Sequence, residues 1–560
     1  MSYDQRRVSR RARLGLLGAV AVLAAGLTVS ATPLGGTSPA AASAGQPAAP
    51  AAPVRPQSLT VTTDEGQVEG RTTGTVDEWL GMPYAKPPAG ALRWEPPEPP
   101  ASWTGVRSAL SYGSRCAQLA SGNGPRIDNE NCLYLNVYAP SVIPAGKKLP
   151  VLFMIHGGGL LNGAGDQYDG SLLAQSDGII VISVNYRLGP LGLLTLPGLS
   201  DAKTAGNFSL LDQEAALRWT AANIAAFGGD PSKVTIAGES AGGAAVCSLL
   251  ASPPAKGLFS QAIMESGSCR GNSYATAEAE SLAFAKAAGC PTLAAAAACL
   301  RGKGEATLVS ASADYVPTFY TYRGADLPVS PLQAIASGRF NRVPILMGDN
   351  HDEGRLFTQG DAGDTPAQYA QFVTSSFGSL APQVLARYPL SAYPSPYSAA
   401  YAIGALLTDS WLYGGIGGCG AQEVASSLAK STPLYFYQFD DRNAPGPNNS
   451  LPGYQFGAAH SMELAYLWPS FTNGYALSAE FTPAQQELSR QMVAYWGAFT
   501  KSGSPDAPAQ PSWPAYSSTA GAHATLMSLR PGDQTTTITA AAYGAEHQCS
   551  FWDTTPAPQT

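Results

Sequence analysis

Ser240 stands in Gly238-Glu239-Ser240-Ala241-Gly242, a G-x-S-x-G pattern whose meaning depends on what surrounds it. A serine hydroxyl is a weak nucleophile near neutral pH and needs a base to take its proton. The chain contains five histidines: His156, His351, His460, His523 and His547. Where a reactive serine is presented on a strand-to-helix turn, an acid follows a later strand and a histidine lies on a loop beyond the next one. Val343–Met347 (VPILM) reads as the later strand, and Gly348-Asp349-Asn350-His351-Asp352-Glu353-Gly354 follows it. Leu434–Phe439 (LYFYQF) reads as the next strand, with His460 on the loop after it. This order points to His460 as the base and to Asp349, Asp352 or Glu353 as its orienting acid. Position does not choose among the three. His523 and His547 read as surface or packing histidines.

Acyl transfer also needs hydrogen-bond donors where the tetrahedral oxyanion forms. Leu149–Ile155 (LPVLFMI) reads as a buried strand ending in His156-Gly157-Gly158-Gly159, and glycines let backbone N–H groups approach a substrate oxygen. With the N–H of Ala241, this element would supply three donors.

The elements that must hold these residues alternate short apolar runs with longer helical stretches, the pattern of an α/β sheet. Ile179–Asn185, Val234–Ala237 and Ala262–Glu265 read as further strands. The stretch Leu211–Phe227 carries a helical period and ends at Gly228-Gly229. Val234–Ala237 runs directly into the serine pattern, and Gly243–Leu250 looks helical, so Ser240 sits on a tight turn at a helix N-terminus, where developing negative charge is favoured. Residues 270–340 and 360–420 are rich in Ala, Ser and Tyr and read as helical insertions over the C-terminal edge of the sheet, where ligands bind in open α/β sheets.

Residues 1–44 read as an export signal: Arg6, Arg7, Arg10, Arg11 and Arg13 precede an apolar run from Leu14 to about Thr28, and Ala42-Ser43-Ala44 offers a small-residue cleavage pattern. Ser9-Arg10-Arg11 loosely resembles a twin-arginine motif. The apolar run is short for a spanning helix, which needs ~20 residues. Residues 45–56 read as a Pro/Ala-rich spacer, 57–553 as one catalytic domain and 554–560 as a disordered tail. Losing five Arg and one Asp with the signal moves the net charge from −7 to −11, which gives no reason to bind nucleic acid or an anionic membrane. Eight cysteines in an exported chain suggest a disulfide framework. No metal-ligand cluster, phosphate loop or dinucleotide fingerprint is evident, so no cofactor is expected, and the expected partner is a small-molecule ester.

Longer motifs resemble the type-B carboxylesterase, or cholinesterase-like, family over nearly the whole mature chain. Phe227-Gly228-Gly229-Asp230-Pro231 and Val234 to Gly242 are similar to its active-site signature, and Glu130-Asn131-Cys132-Leu133-Tyr134-Leu135-Asn136-Val137 to its second, with Asn131 where Asp is usual. Asn185–Gly192 and Gly206–Gln213 also match, with Ser209 in place of Gly. The resemblance implies an α/β-hydrolase fold: a large, mostly parallel central sheet with helices on both faces. It implies a serine esterase in which Glu353, in Asp352-Glu353-Gly354, is the acid and His460, in Gly457–Leu464, the base. It places the oxyanion donors on Gly158, Gly159 and Ala241, makes Glu239 the acidic neighbour that shapes the field, and makes Ser266 a serine near the acid. It implies bridges Cys116–Cys132, Cys290–Cys299 and Cys419–Cys549, leaving Cys247 and Cys269 either free or paired. The loop Ala117–Asn131 holds no aromatic residue, and Arg355 and Leu356 follow the acid, so a quaternary ammonium has little to stack on. Neutral aliphatic or aryl esters are therefore expected over choline esters. A complete triad and hole argue against a binding-only relative, while lipase, thioesterase or acyl-transferase specificity on this scaffold stays open.

Overall fold

In a computed structural model, residues 54–56, 58–201, 204–315, 319–447, 451–471 and 477–555 are described. The signal segment therefore lies outside the described residues, as does most of the spacer. Val54–Pro56 pairs antiparallel with Val142–Pro144.

Eleven strands form the central sheet: β1 (Arg71–Thr73), β2 (Val76–Pro83), β3 (Tyr134–Pro140), β4 (Leu149–Ile155), β5 (Ile180–Val184), β6 (Gly229–Glu239), β7 (Gln261–Glu265), β8 (Ile345–Asn350), β9 (Leu434–Phe439), β10 (Thr525–Leu529) and β11 (Thr536–Thr539). Their spatial order is β11-β10-β9-β8-β7-β6-β4-β5-β3-β2-β1. The run from β5 through β4, β6, β7, β8 and β9 to β10 is parallel, and antiparallel strands flank it on both sides. Parallel strands covered on both faces are near-continuously apolar, so β4 reads as an unbroken hydrophobic run and β5 as one interrupted only by Ser183.

The period of two along each strand sorts side chains into two cores. Val151, Phe153 and Ile155 of β4 join one cluster with Val234 and Ile236, packed against helices α2 (Phe208–Asn223), α3 (Ala241–Ala251) and α5 (Gly418–Leu428). Leu152 and Met154 point the other way, into a cluster with Ile263, Leu346 and helices α1 (Ser171–Asp177) and α6 (Pro483–Ser502). In α6 the hydroxyl of Thr482 caps the N–H of Gln485, Pro483 opens the first turn, and Gly503 (φ 76°) closes the helix. Helix α4 (Ser398–Asp409) packs against the residues that follow β8.

The predicted strands 149–155 and 434–439 have the observed bounds, and the other predicted strands and both predicted helices differ at their ends. β8 starts at Ile345, since Pro344 has no N–H to give, and runs on through the polar Asp349 and Asn350. β6 begins at Gly229, with a shift of register before Val234. α2 begins at Phe208, and its predicted last turn, Ile224–Phe227, is a 3₁₀ turn. The two weakly patterned stretches do contain helices, among them Tyr274–Ala287, Pro366–Phe377 and α4.

Candidate active site

β6 delivers Ser240 into a backbone conformation with φ 58° and ψ −120°, at the N-terminus of α3. This is strained for a residue with a side chain. The turn fits only because its neighbours are bare: a Cβ on Gly238 would lie 2.4 Å from the backbone of Gly242, and one on Gly242 would lie 2.1 Å from the Ile155 carbonyl oxygen. The Ser240 N–H donates to the Glu265 carbonyl at 2.9 Å, which ties the turn to β7.

The end of β4 lies against this elbow. A Cβ on Gly157 would come within 2.7 Å of a Glu239 carboxylate oxygen and 3.2 Å of the Ser240 Cβ. Gly158 and Gly159 have φ of 105° and 66°, open to glycine at little cost. Among the described residues, no acceptor is found for the N–H groups of Gly158, Gly159 or Ala241. His156 is not a base here. Its buried ring stacks on Tyr186 at 4.3 Å, and burial pushes it down to about 4, so it stays neutral.

His460 and Glu353 come from loops 107 positions apart, and the His460 Nδ1 lies 2.6 Å from a Glu353 Oε. The other Glu353 oxygen accepts the Asn350 N–H at 2.8 Å. Further bonds join the two loops: Asp352 N–H to the Ala458 carbonyl at 2.8 Å, His460 N–H to the Glu353 carbonyl at 3.3 Å, and the Asn350 amide to the Ala459 carbonyl at 2.7 Å. Of the three acids that position left open, only Glu353 meets His460. Asp349 accepts from Gly418 N–H at 2.7 Å and from Tyr543, and Asp352 is held by Arg442 and by Ala458 N–H.

The other imidazole nitrogen, Nε2, lies 3.2 Å from Glu239, the residue before Ser240. Burial opposes charge on His460, but Glu239 and Glu353 outweigh it and raise the imidazole to about 9. Burial, with Glu353 adding to it and His460 opposing, lifts Glu239 to about 7. Behind this pair stand two buried acids that sequence reasoning did not single out. Glu265 is opposite Glu239 in register, bonds Trp496 Nε1 at 3.2 Å, and is pushed up to about 8 by burial. Glu463 accepts from the Asn350 amide and is raised well above the ordinary carboxylate range, by burial first and then by the neighbouring carboxylates. Glu463 lies within the motif around His460. Asn350 gave no signal beyond its place before Glu353. Ser266 is fully buried, with its N–H on the Gly348 carbonyl, and its hydroxyl finds no partner among the described residues.

The aromatic ring of Phe357 lies 5.1 Å from that of His460, and Tyr413 lies 4.4 Å beyond Phe357. His523 is exposed and His547 is buried in a pair with Asp409 at 2.7 Å. The eight cysteines form four bridges: Cys116–Cys132, Cys290–Cys299, Cys419–Cys549 and a fourth, Cys247–Cys269. Among the described residues, no group of His, Cys, Asp and Glu is placed to hold a metal ion, and no helix is long and apolar enough to cross a membrane.

A strained serine on a strand–helix elbow, a buried imidazole–carboxylate pair and unpaired donors on an eleven-stranded sheet define a serine hydrolase of the α/β class. The model of the carboxylesterase family matches residues 57–552, and the chain belongs to that family. It is 37% identical to a para-nitrobenzyl esterase of Bacillus subtilis (strain 168) over 81% of this chain and 92% of that one. It is 34% identical to a human cocaine esterase over 80% of this chain and 83% of that one. A solved structure titled PNB esterase superposes with a TM-score of 0.72 at 32% identity, over 87% of this chain and 99% of the other. The chain is a carboxylesterase.

Proposed function

We propose that this carboxylesterase is exported and cleaves neutral aliphatic or aryl esters through an acyl-enzyme on Ser240. The observation that carries the roles is His460, held by Glu353 on one nitrogen and with its other nitrogen 3.2 Å from the carboxylate of Glu239, the residue that precedes Ser240 on the strained elbow. Ser240 Oγ attacks the ester carbonyl as His460 takes its proton, and Glu353 stabilises the imidazolium and fixes its tautomer. The N–H groups of Gly158, Gly159 and Ala241 receive the oxyanion. His460 returns the proton to the leaving alcohol, and water repeats the sequence to free the acid.

The substrate preference rests on what surrounds the site. Residues 117–131 offer no ring for a quaternary ammonium, while the packed rings of Phe357 and Tyr413 put apolar surface beside His460 that suits an acyl or aryl group. A relative named for para-nitrobenzyl esters fits this preference. Export is supported by the basic and apolar N-terminal segment and by four disulfides, which persist in oxidising compartments. The test is a panel of p-nitrophenyl and choline esters on wild type and Ser240→Ala. Neutral esters turned over by wild type alone are expected. Comparable choline-ester rates would overturn the preference, and an active Ser240→Ala would overturn the nucleophile.

A further inference from the structure

Cys247 lies about two turns along α3 from Ser240, and Cys269 lies just past the end of β7; both are buried and joined to each other. The residues on either side of Cys269 brace a distant turn. The Ser268 hydroxyl donates to the Gly414 carbonyl at 2.6 Å and accepts the Arg270 N–H at 3.2 Å. The Arg270 guanidinium donates to the Trp411 carbonyl at 3.4 Å and lies 5.5 Å over the Phe319 ring. The braced turn, Trp411–Tyr413, has no slack. A Cβ on Gly414 would meet the Phe319 ring at 2.8 Å and the Ser268 hydroxyl at 3.0 Å. Tyr413 at the end of this turn carries the ring that packs on Phe357, and Phe357 packs on His460. A continuous chain of contacts thus runs from the helix that begins at Ser240, through the bridge, to the aromatic wall beside the base.

We propose that the Cys247–Cys269 bridge is a specificity strut: it holds the Tyr413–Phe357 wall at a fixed distance from Ser240 and so limits the bulk of the group that sits beside His460. It rests on the assignment of Ser240 and His460. Without the bridge, the turn at Cys269 is held to α3 by packing such as the close approach of Gly267 to Gly243, and the wall it braces can move outward. A pocket wall discriminates by about 10–200-fold per methylene, so a small outward shift is readable in chain-length preference.

The experiment measures kcat/KM of the full chain for p-nitrophenyl acetate, butyrate and octanoate, with the fraction of chains labelled by a fluorophosphonate. In Cys247→Ala/Cys269→Ala the octanoate-to-acetate ratio is expected to rise about tenfold with labelling still at one per chain. A ratio unchanged or lower at full labelling overturns the strut. Ser268→Ala leaves the bridge intact and removes one brace. It is expected to shift the ratio the same way by a smaller factor, and an unchanged ratio there overturns the proposal even where the double variant does not fold. Wild type that hydrolyses these esters but does not take the label at Ser240 refutes the nucleophile itself, a different result from an unaltered ratio.

Discussion

The Ser240 elbow and the Glu353–His460 junction achieve their geometry by opposite means. The elbow is a matter of backbone sterics, where the Cβ atoms missing at Gly238, which faces Gly242, and at Gly242, which faces the Ile155 carbonyl of β4, let Ser240 keep a positive φ. The junction is made of hydrogen bonds between two loops 107 positions apart, with Asn350, Asp352 and Ala458 as the stitches. A steric device fails all at once, whereas a stitched one loosens by degrees.

The largest effect at the junction follows from removing the charge that orients the base. Glu353→Gln should lower kcat by about 10⁴-fold with KM little changed, because the imidazole loses its tautomer and its charge partner; steady-state kinetics on p-nitrophenyl butyrate reads this. At the elbow, Gly242→Ala places a methyl 2.1 Å from the Ile155 carbonyl. It should cost about 1–3 kcal/mol of stability and abolish most fluorophosphonate labelling, measured by urea unfolding alongside the labelling rate. Retained labelling would show that the elbow tolerates movement.

Asn350→Leu cuts the bonds to Ala459 and Glu463 while leaving the backbone N–H on Glu353. A drop in kcat of about 10–100-fold is expected, intermediate between the intact site and Glu353→Gln. The smallest expected effect is a displacement rather than a loss. In the proposed role of base His460 must be neutral, so kcat/KM should rise with pH through its titration. Glu239 favours the imidazolium, and Glu239→Gln should move that acid limb to lower pH by about 1–2 units. A limb that stays in place or moves up would show that Glu239 does not act on His460.

The same contrast explains what the sequence revealed. Gly238 to Gly242 and His156 to Gly159 were legible because close backbone approach and positive φ demand glycine at fixed positions. The parallel strands were legible because β4 is apolar on both faces and β9 is apolar except at Gln438. The choice of Glu353 over Asp349 and Asp352 was not legible from position, since all three follow one strand and only tertiary pairing sends Asp349 to Tyr543 and Asp352 to Arg442. It came from the family motif. Asn350 and Glu265 stayed silent for the same reason: their partners lie on other strands and loops. The Cys247–Cys269 pair could be settled only once α3 and the end of β7 were brought side by side.

The acyl-enzyme on Ser240 is the centre of this account. Rapid acid quench during turnover of p-nitrophenyl butyrate, followed by peptide mass mapping, tests it directly. A butyryl adduct on the peptide that contains Ser240, absent from Ser240→Ala, is the predicted result. An adduct on any other residue, or full turnover with no adduct on Ser240→Ala, would contradict it.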